Sequence, residues 1–342
     1  MMAPGRLSSR QDAASAWSAR VGLAGRILFA LAMLALLVHT VMSLPYFTQV
    51  LSRLSDGGAL AMVGILAYLG AHLLRALRLA IIAGGHEVSL RRLTSVHFAT
   101  AGVSLLLPFK LGELYRIFEI SLVAGGLRRA VQTVWMERAF DVAALVVMML
   151  VVAVAPAGAA AVFAPLSAAA ALFIALTVIT FVVLPGNLRT LSLFVIRRYR
   201  SERAVTALRA LDSVLRFVES GRQLLRNKQG VVGAVSAFIW ALEVASFGLI
   251  VAAIGPAAEP LLESFLAYVS TASFGAAEWY PVYGTGAESL LAFPVKVFVY
   301  GVLTRLPLFV CALAFGALYA PARLSGGLSL KSPFSLKNGN QQ

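Results

Sequence analysis

An all-α fold, a polytopic membrane protein with about six transmembrane helices and two oppositely oriented re-entrant helical hairpins, is predicted by three observations. The 342 residues are 60% hydrophobic and only 13% charged, with a mean hydropathy of +0.85, a composition that one water-soluble core could not enclose. Apolar runs recur at lengths that cross a hydrocarbon layer of about 30 Å. Two further apolar regions are broken by proline, glycine and glutamate together, at Pro108-Phe109-Lys110-Leu111-Gly112-Glu113-Leu114-Tyr115-Arg116 and at Pro281-Val282-Tyr283-Gly284-Thr285-Gly286-Ala287-Glu288. At membrane depth such breaks survive only where protein buries the backbone or water reaches it. They mark pathways or binding sites.

In chain order, residues 1–26 hold Arg6, Arg10, Arg20 and Arg26 and no persuasive small-residue cleavage pattern, which predicts a basic cytoplasmic segment leading into a retained first span. Spans follow near 27–45 and 59–83. The region 94–124 contains the first break and is expected to be a hairpin, because Pro108 and Gly112 do not fit one uninterrupted helix. Spans near 135–155 and 163–185 precede the polar block 186–230, where ten basic residues face Glu202, Asp212 and Glu219, a balance of 10 − 3 = +7. Leu208, Leu211, Leu215, Val218 and Leu225 recur there at helical spacing. The block is either a basic amphipathic helix on an anionic inner leaflet or a solvated cytoplasmic connector. A span near 231–254, a second hairpin at 263–301, a span near 303–320 and a polar tail at 326–342 complete the chain.

The net charge of +14 is explained by lysine and arginine collecting on the cytoplasmic side, without a nucleic acid partner. Arg91, Arg92, Arg128, Arg129, the block from Arg189 to Lys228, and Arg323, Lys331 and Lys337 fall on one side, while Arg53 beside Asp56 falls on the other. This places both termini in the cytoplasm of a multi-pass cell-membrane protein and brings the two breaks in from opposite faces, as in an inverted pair. Cys311 has no second cysteine to join. Four scattered histidines, His39, His72, His86 and His97, lack metal-site spacing, and neither a metal nor another cofactor is expected.

Charged residues inside apolar sequence are the candidates for function, because each costs about 2.5–3.5 kcal/mol at the bilayer centre unless paired or hydrated. On a helix beginning after Gly112, Glu113, Arg116 and Glu119 share one face. They either hold the hairpin together as an ion cluster or contact a headgroup or ion. Glu137, Arg138 and Asp141 follow Trp135 at the start of the next span, where they either form an anchored interfacial end or face the Glu113/Arg116 cluster. Glu278 and Glu288 lie around the second break, Lys296 and Arg305 follow it, and Glu243 is a carboxylate that could pair with either cation. No nucleophilic triad, phosphate loop or soluble catalytic domain is evident, so no enzyme is expected.

The run Leu107-Pro108 through Gly112-Glu113 and Arg116, followed by Glu137-Arg138 and Asp141, resembles the transmembrane region of the lysylphosphatidylglycerol synthase family. Trp240-Ala241-Leu242-Glu243 and Pro281, Gly284, Gly286, Glu288 and Arg305 resemble its later motifs. In the multiple peptide resistance factor, a bifunctional relative, a domain of this type is the flippase half and precedes a soluble aminoacyltransferase. The resemblance implies a flippase-like domain at 27–325 that translocates an anionic lipid or lipid-linked glycan precursor across a bacterial or archaeal cytoplasmic membrane. Glu113, Arg116, Glu137, Arg138, Asp141, Glu288 and Arg305 would bind that substrate. The alternatives are a membrane accessory protein that recruits a lipid or glycan enzyme, and a membrane-embedded transferase. Oligomeric state is left open.

Overall fold

The computed structural model describes residues 31, 34, 47–84, 89–106, 111–154, 164–199, 201–255, 260–273 and 293–325. The chain divides into the units Met1–Ser52 and Arg53–Gln342. The packing below belongs to the second. In order, the helices are α1 (Phe47–Ala83), α2 (Leu90–Leu106), α3 (Leu111–Val123), α4 (Leu127–Val154), α5 (Ala164–Val178), α6 (Leu184–Arg198), α7 (Glu202–Leu225), α8 (Gln229–Ile254), α9 (Leu261–Ser273) and α10 (Phe293–Ser325). No strand occurs among the described residues.

Among the described residues, four stretches are long and apolar enough to cross a membrane: Ser52–Ala83, Leu166–Arg198, Gln229–Ile254 and Val299–Ala317. They match four of the expected spans. The expected span near 135–155 falls in α4, 28 residues long, which is not among these four and carries Glu137, Arg138 and Asp141 near its middle. The stretch 27–45 lies mostly outside the described residues, as do the segment 107–110 of the first break and all of 274–292, including Glu278 and Glu288. The first predicted hairpin contains two helices, α2 and α3, packed against each other.

Local chemistry sets the helix ends. α1 stops at Gly84, whose φ of +78° is a left-handed conformation that only glycine adopts cheaply. Its last carbonyls find cations: Arg129 donates to Ala83 O at 2.8 Å and Lys228 to Ile81 O at 2.8 Å, which also suits the negative end of the helix dipole. Gly125 and Gly126, with φ of +88° and +118°, reverse the chain between α3 and α4. α5 runs into α6 through a π-helical turn, Ile179–Val183, next to Pro185. Proline has no N–H for the preceding turn, and a widened turn accommodates that loss. Ser201 caps α7 by accepting from Ala204 N.

Small residues set how closely the helices pack, as is usual where lipid removes the hydrophobic drive between apolar faces. A Cβ on Gly102 of α2 would lie 2.3 Å from Ala312 Cβ of α10, and Phe98 stacks on Phe315 with centroids 4.7 Å apart. Gly112 is pressed against Ser104, so the glycine of the first break is needed for the α2–α3 contact. Gly57 and Gly64 of α1 face Ala253 and Ile250 of α8. The apolar stripe of α7 is turned inward against α6 and α4, with Val218 fully buried and Gly221 over Phe181. α7 is therefore a docked helix whose apolar stripe is partly covered by neighbouring helices.

Gly57 and its neighbour Gly58 give an internal control for this packing. A Cβ at Gly57 would meet Ala253 O at 2.5 Å, whereas one at Gly58 meets nothing within 4 Å. Gly57→Ala is expected to lower the melting temperature of the purified protein in detergent. Gly58→Ala should leave it unchanged or raise it, by up to about 0.5–1 kcal/mol of helix propensity. Equal losses would show that the α1–α8 approach does not limit stability.

Candidate functional site

A chain of alternating charges joins α1, α3, α4 and α8. Glu137 and Asp141, four residues apart, point from one face of α4. Arg78 of α1 grips Asp141 with two hydrogen bonds, at 2.7 and 3.1 Å, and donates to Ser236 Oγ of α8 at 2.9 Å. Its Nε lies 3.7 Å from Glu137 Oε1. The other oxygen of Glu137 accepts from Arg116 of α3 at 2.7 Å. Arg138 bonds Asp141 at 3.1 Å and reaches across to Glu113 of α3. One further bridge, Arg75 to Glu243 at 2.5 Å, ties α1 to α8.

These pairings differ from what residue spacing suggests. Glu113 and Arg116 sit one turn apart on α3 and look like each other's partners, but each is bonded to α4 instead. Glu119 is buried on the same helix. Arg75 and Arg78 were missed by sequence reasoning, because their run stays apolar on average. The signal was available: His72, Arg75 and Arg78 recur every three residues in an expected span, and arginine there needs a partner. Glu243 meets Arg75, a partner not anticipated for it. Arg305 lies on α10 and bonds Tyr268 of α9. Trp135 donates to Thr177 Oγ1 at 3.2 Å, so it is used within the helix bundle.

Energetics explains why each of these arginines has a carboxylate partner. Four lone arginines at the bilayer centre would cost about 10–14 kcal/mol at about 2.5–3.5 kcal/mol each, comparable with the whole stability of a typical domain. Apolar layers flank the pairs. Leu79, Ala83, Leu93, Val96, Ile120 and Val134 form one cluster, and Ile82, Met136, Phe181, Val218 and Val232 form another.

The network is not uniformly buried. Side-chain exposure is 2% at Arg78 and 0% at Glu137, but 39% at Arg138 and 33% at Glu113. Arg116, Glu137 and Asp141 are therefore interior ties. Glu113 and Arg138 form an accessible rim where a new anion could exchange for a carboxylate. A second polar link joins α1 to α2, where His72 Nδ1 and His97 Nε2 lie 3.2 Å apart with both rings buried. No group of three or more metal-ligating side chains occurs among the described residues.

The family model described as Lysylphosphatidylglycerol synthase TM region matches residues 21–326. No curated protein and no solved structure matches the chain.

The buried ties and the surface pairs should differ sharply when cut. Arg78→Leu leaves Asp141 and Ser236 without their shared donor and is expected to cost about 3–5 kcal/mol. Arg216→Leu breaks an exposed pair with Asp212 and should cost about 0–1 kcal/mol. Denaturant unfolding in micelles measures both. Arg78→Leu combined with Asp141→Leu should recover part of the loss, because no lone charge then remains at that point. A double variant as unstable as the sum of the singles would show that the two side chains do not act as a pair.

Proposed function

We infer that this chain, which belongs to the lysylphosphatidylglycerol synthase transmembrane family, translocates an anionic lipid or lipid-linked glycan precursor between the leaflets of a cell membrane. The observation that carries this reading is the graded network, buried and charge-paired around Arg78 and Glu137 and part-exposed at Arg138 and Glu113. A phosphate arriving at the rim would take the place of the Glu113 carboxylate on Arg138, and Asp141 would keep the arginine oriented. Fixed charges then substitute for headgroup hydration, which lowers the barrier to crossing, while the tails stay in lipid. Net direction requires a ligand gradient or a coupled ion, since binding alone shifts only the populations of the two access states.

The expected hairpins fit this reading as re-entrant elements that approach from opposite faces. Of the seven residues expected to bind substrate, Glu113 and Arg138 are assigned direct contact. Arg116, Glu137 and Asp141 are assigned the positioning of those two. Arg305 is assigned to the wall of the path, and Glu288 lies outside the described residues. On this reading the protein is a transporter and not an enzyme, and its lipid leaves chemically unchanged.

Proteoliposomes carrying a labelled anionic lipid test the assignment. Glu113→Gln and Arg138→Gln are each expected to slow protein-dependent exposure of the label at least tenfold while accumulating in the membrane like the wild type. Equal rates in variants and wild type would sink the site. A new lipid species formed by the active protein would sink translocation. Topology has a separate check. In a Cys311→Ser background, a cysteine placed at Asp56 should react with an impermeant thiol reagent in intact cells and one at Arg209 should not. Labelling at Arg209 would reverse the orientation.

A further inference from the structure

The arginines around α7 fall into two groups. Arg216 is tied to Asp212 at 2.7 Å, Arg189 to Glu219 at 2.5 Å, and Arg128 donates to Ser220 Oγ at 2.8 Å. The side chains of Arg222 and Arg226 make no hydrogen bond or ion pair with any described residue. They are four residues apart near the end of α7, and both line a groove of about 640 Å³ between α4, the α5–α6 π turn and α7, within the range of about 300–1,000 Å³ seen for small-ligand sites.

The groove changes character along its length. Gln223 and Gln229 join the two arginines on the α7–α8 side, while Met136, Phe140, Ala143 and Phe181 supply an apolar wall. Met136, Phe140 and Ala143 form one stripe of α4, at spacings of four and three, and Glu137 and Asp141 form another. The groove is thus a different face of the helix that carries the ion network. The π turn places Phe181 in its wall, and Gly221, which lets α7 approach that ring, keeps the arginine-bearing end of α7 against it. π turns inside α-helices often occur at functional sites.

Two free cations beside amide donors, with an apolar slot leading away, match an amphiphile with an anionic head. We propose that this groove holds one anionic phospholipid of the surrounding bilayer, its phosphate between Arg222 and Arg226 and an acyl chain along Met136, Phe140 and Phe181. Arginine suits the phosphate because its planar fork can bond two oxygens at once. The apolar slot contributes through van der Waals packing along the acyl chain, since a chain already in the bilayer gains little hydrophobic free energy by entering it. This site does not depend on the translocation reading, since a bound lipid can remain in place while another is moved.

Native mass spectrometry of the purified protein with phosphatidylglycerol or phosphatidylcholine measures lipid retention directly. The wild type is expected to retain one phosphatidylglycerol in preference to phosphatidylcholine. R222Q/R226Q should lose that preference at least fivefold, and Ala143→Phe, which fills the slot, should reduce retention of phosphatidylglycerol. R203Q/R209Q, which removes two arginines of α7 that do not line the groove, should keep the wild-type preference. The proposal is overturned if R222Q/R226Q retains phosphatidylglycerol like the wild type, or if R203Q/R209Q loses it to the same extent. Should the first double variant fail to fold, Ala143→Phe and Arg222→Gln decide the matter, and unchanged retention in both overturns it.

Discussion

A charge in hydrocarbon cannot be left alone, and most of the arrangement of α1, α3, α4 and α8 follows from that constraint as it applies to Arg78. Asp141 and Ser236 accept its hydrogen bonds from two other helices, and Glu137 adds a second carboxylate charge 3.7 Å from its Nε. Those contacts fix the rotation of α4, which then presents Arg138 to Glu113 and Glu137 to Arg116. The glycine contacts act in concert with the charges. Gly57 and Gly64 let α1 approach α8 closely along one part of the same helix pair that Arg78–Ser236 and Arg75–Glu243 join further along.

One network can serve both stability and recognition because its exposure changes along its length. Where the pairs are dry, each partner holds the other against the large cost of desolvation. Where they are exposed, at Arg138 and Glu113, less surrounding protein holds the pair in place, and on the translocation reading this is where a ligand displaces one member without collapsing the helices. Arg138 is suited to this position. Asp141 anchors it on its own helix, and its second partner, Glu113, belongs to a neighbouring one.

The membrane class and the charged positions were legible in the sequence, because a carboxylate or arginine in an apolar run stands out without reference to its neighbours. Partners were not legible. Glu113 and Arg116 look paired at their spacing, yet each side chain reaches α4, and only the close contact of α3 with α4 decides that. Arg75 and Arg78 were hidden by averaging over a long apolar run. His72 and His97 were read as scattered because 25 residues separate them, and packing of α1 on α2 brings them together. The α7 stripe revealed an amphipathic helix but not what covers its apolar face. Gly221 and Phe181, which decide that, sit outside the leucine repeat.

The order in which these charges leave the ribosome has a consequence for biogenesis. Arg75 and Arg78 are made before every carboxylate they bind, 63 residues ahead of Asp141 in the case of Arg78. While α1 is being inserted its arginines have no intramolecular counter-charge. They must stay hydrated at the membrane surface or be sheltered by the insertion machinery until α4 arrives, and Arg75 waits longer still, for α8. Such charges favour holding α1 back from lipid until α4 and α8 are made. A chain cut short before α4 would leave a polar helix stranded in lipid, the kind of substrate that membrane quality control removes.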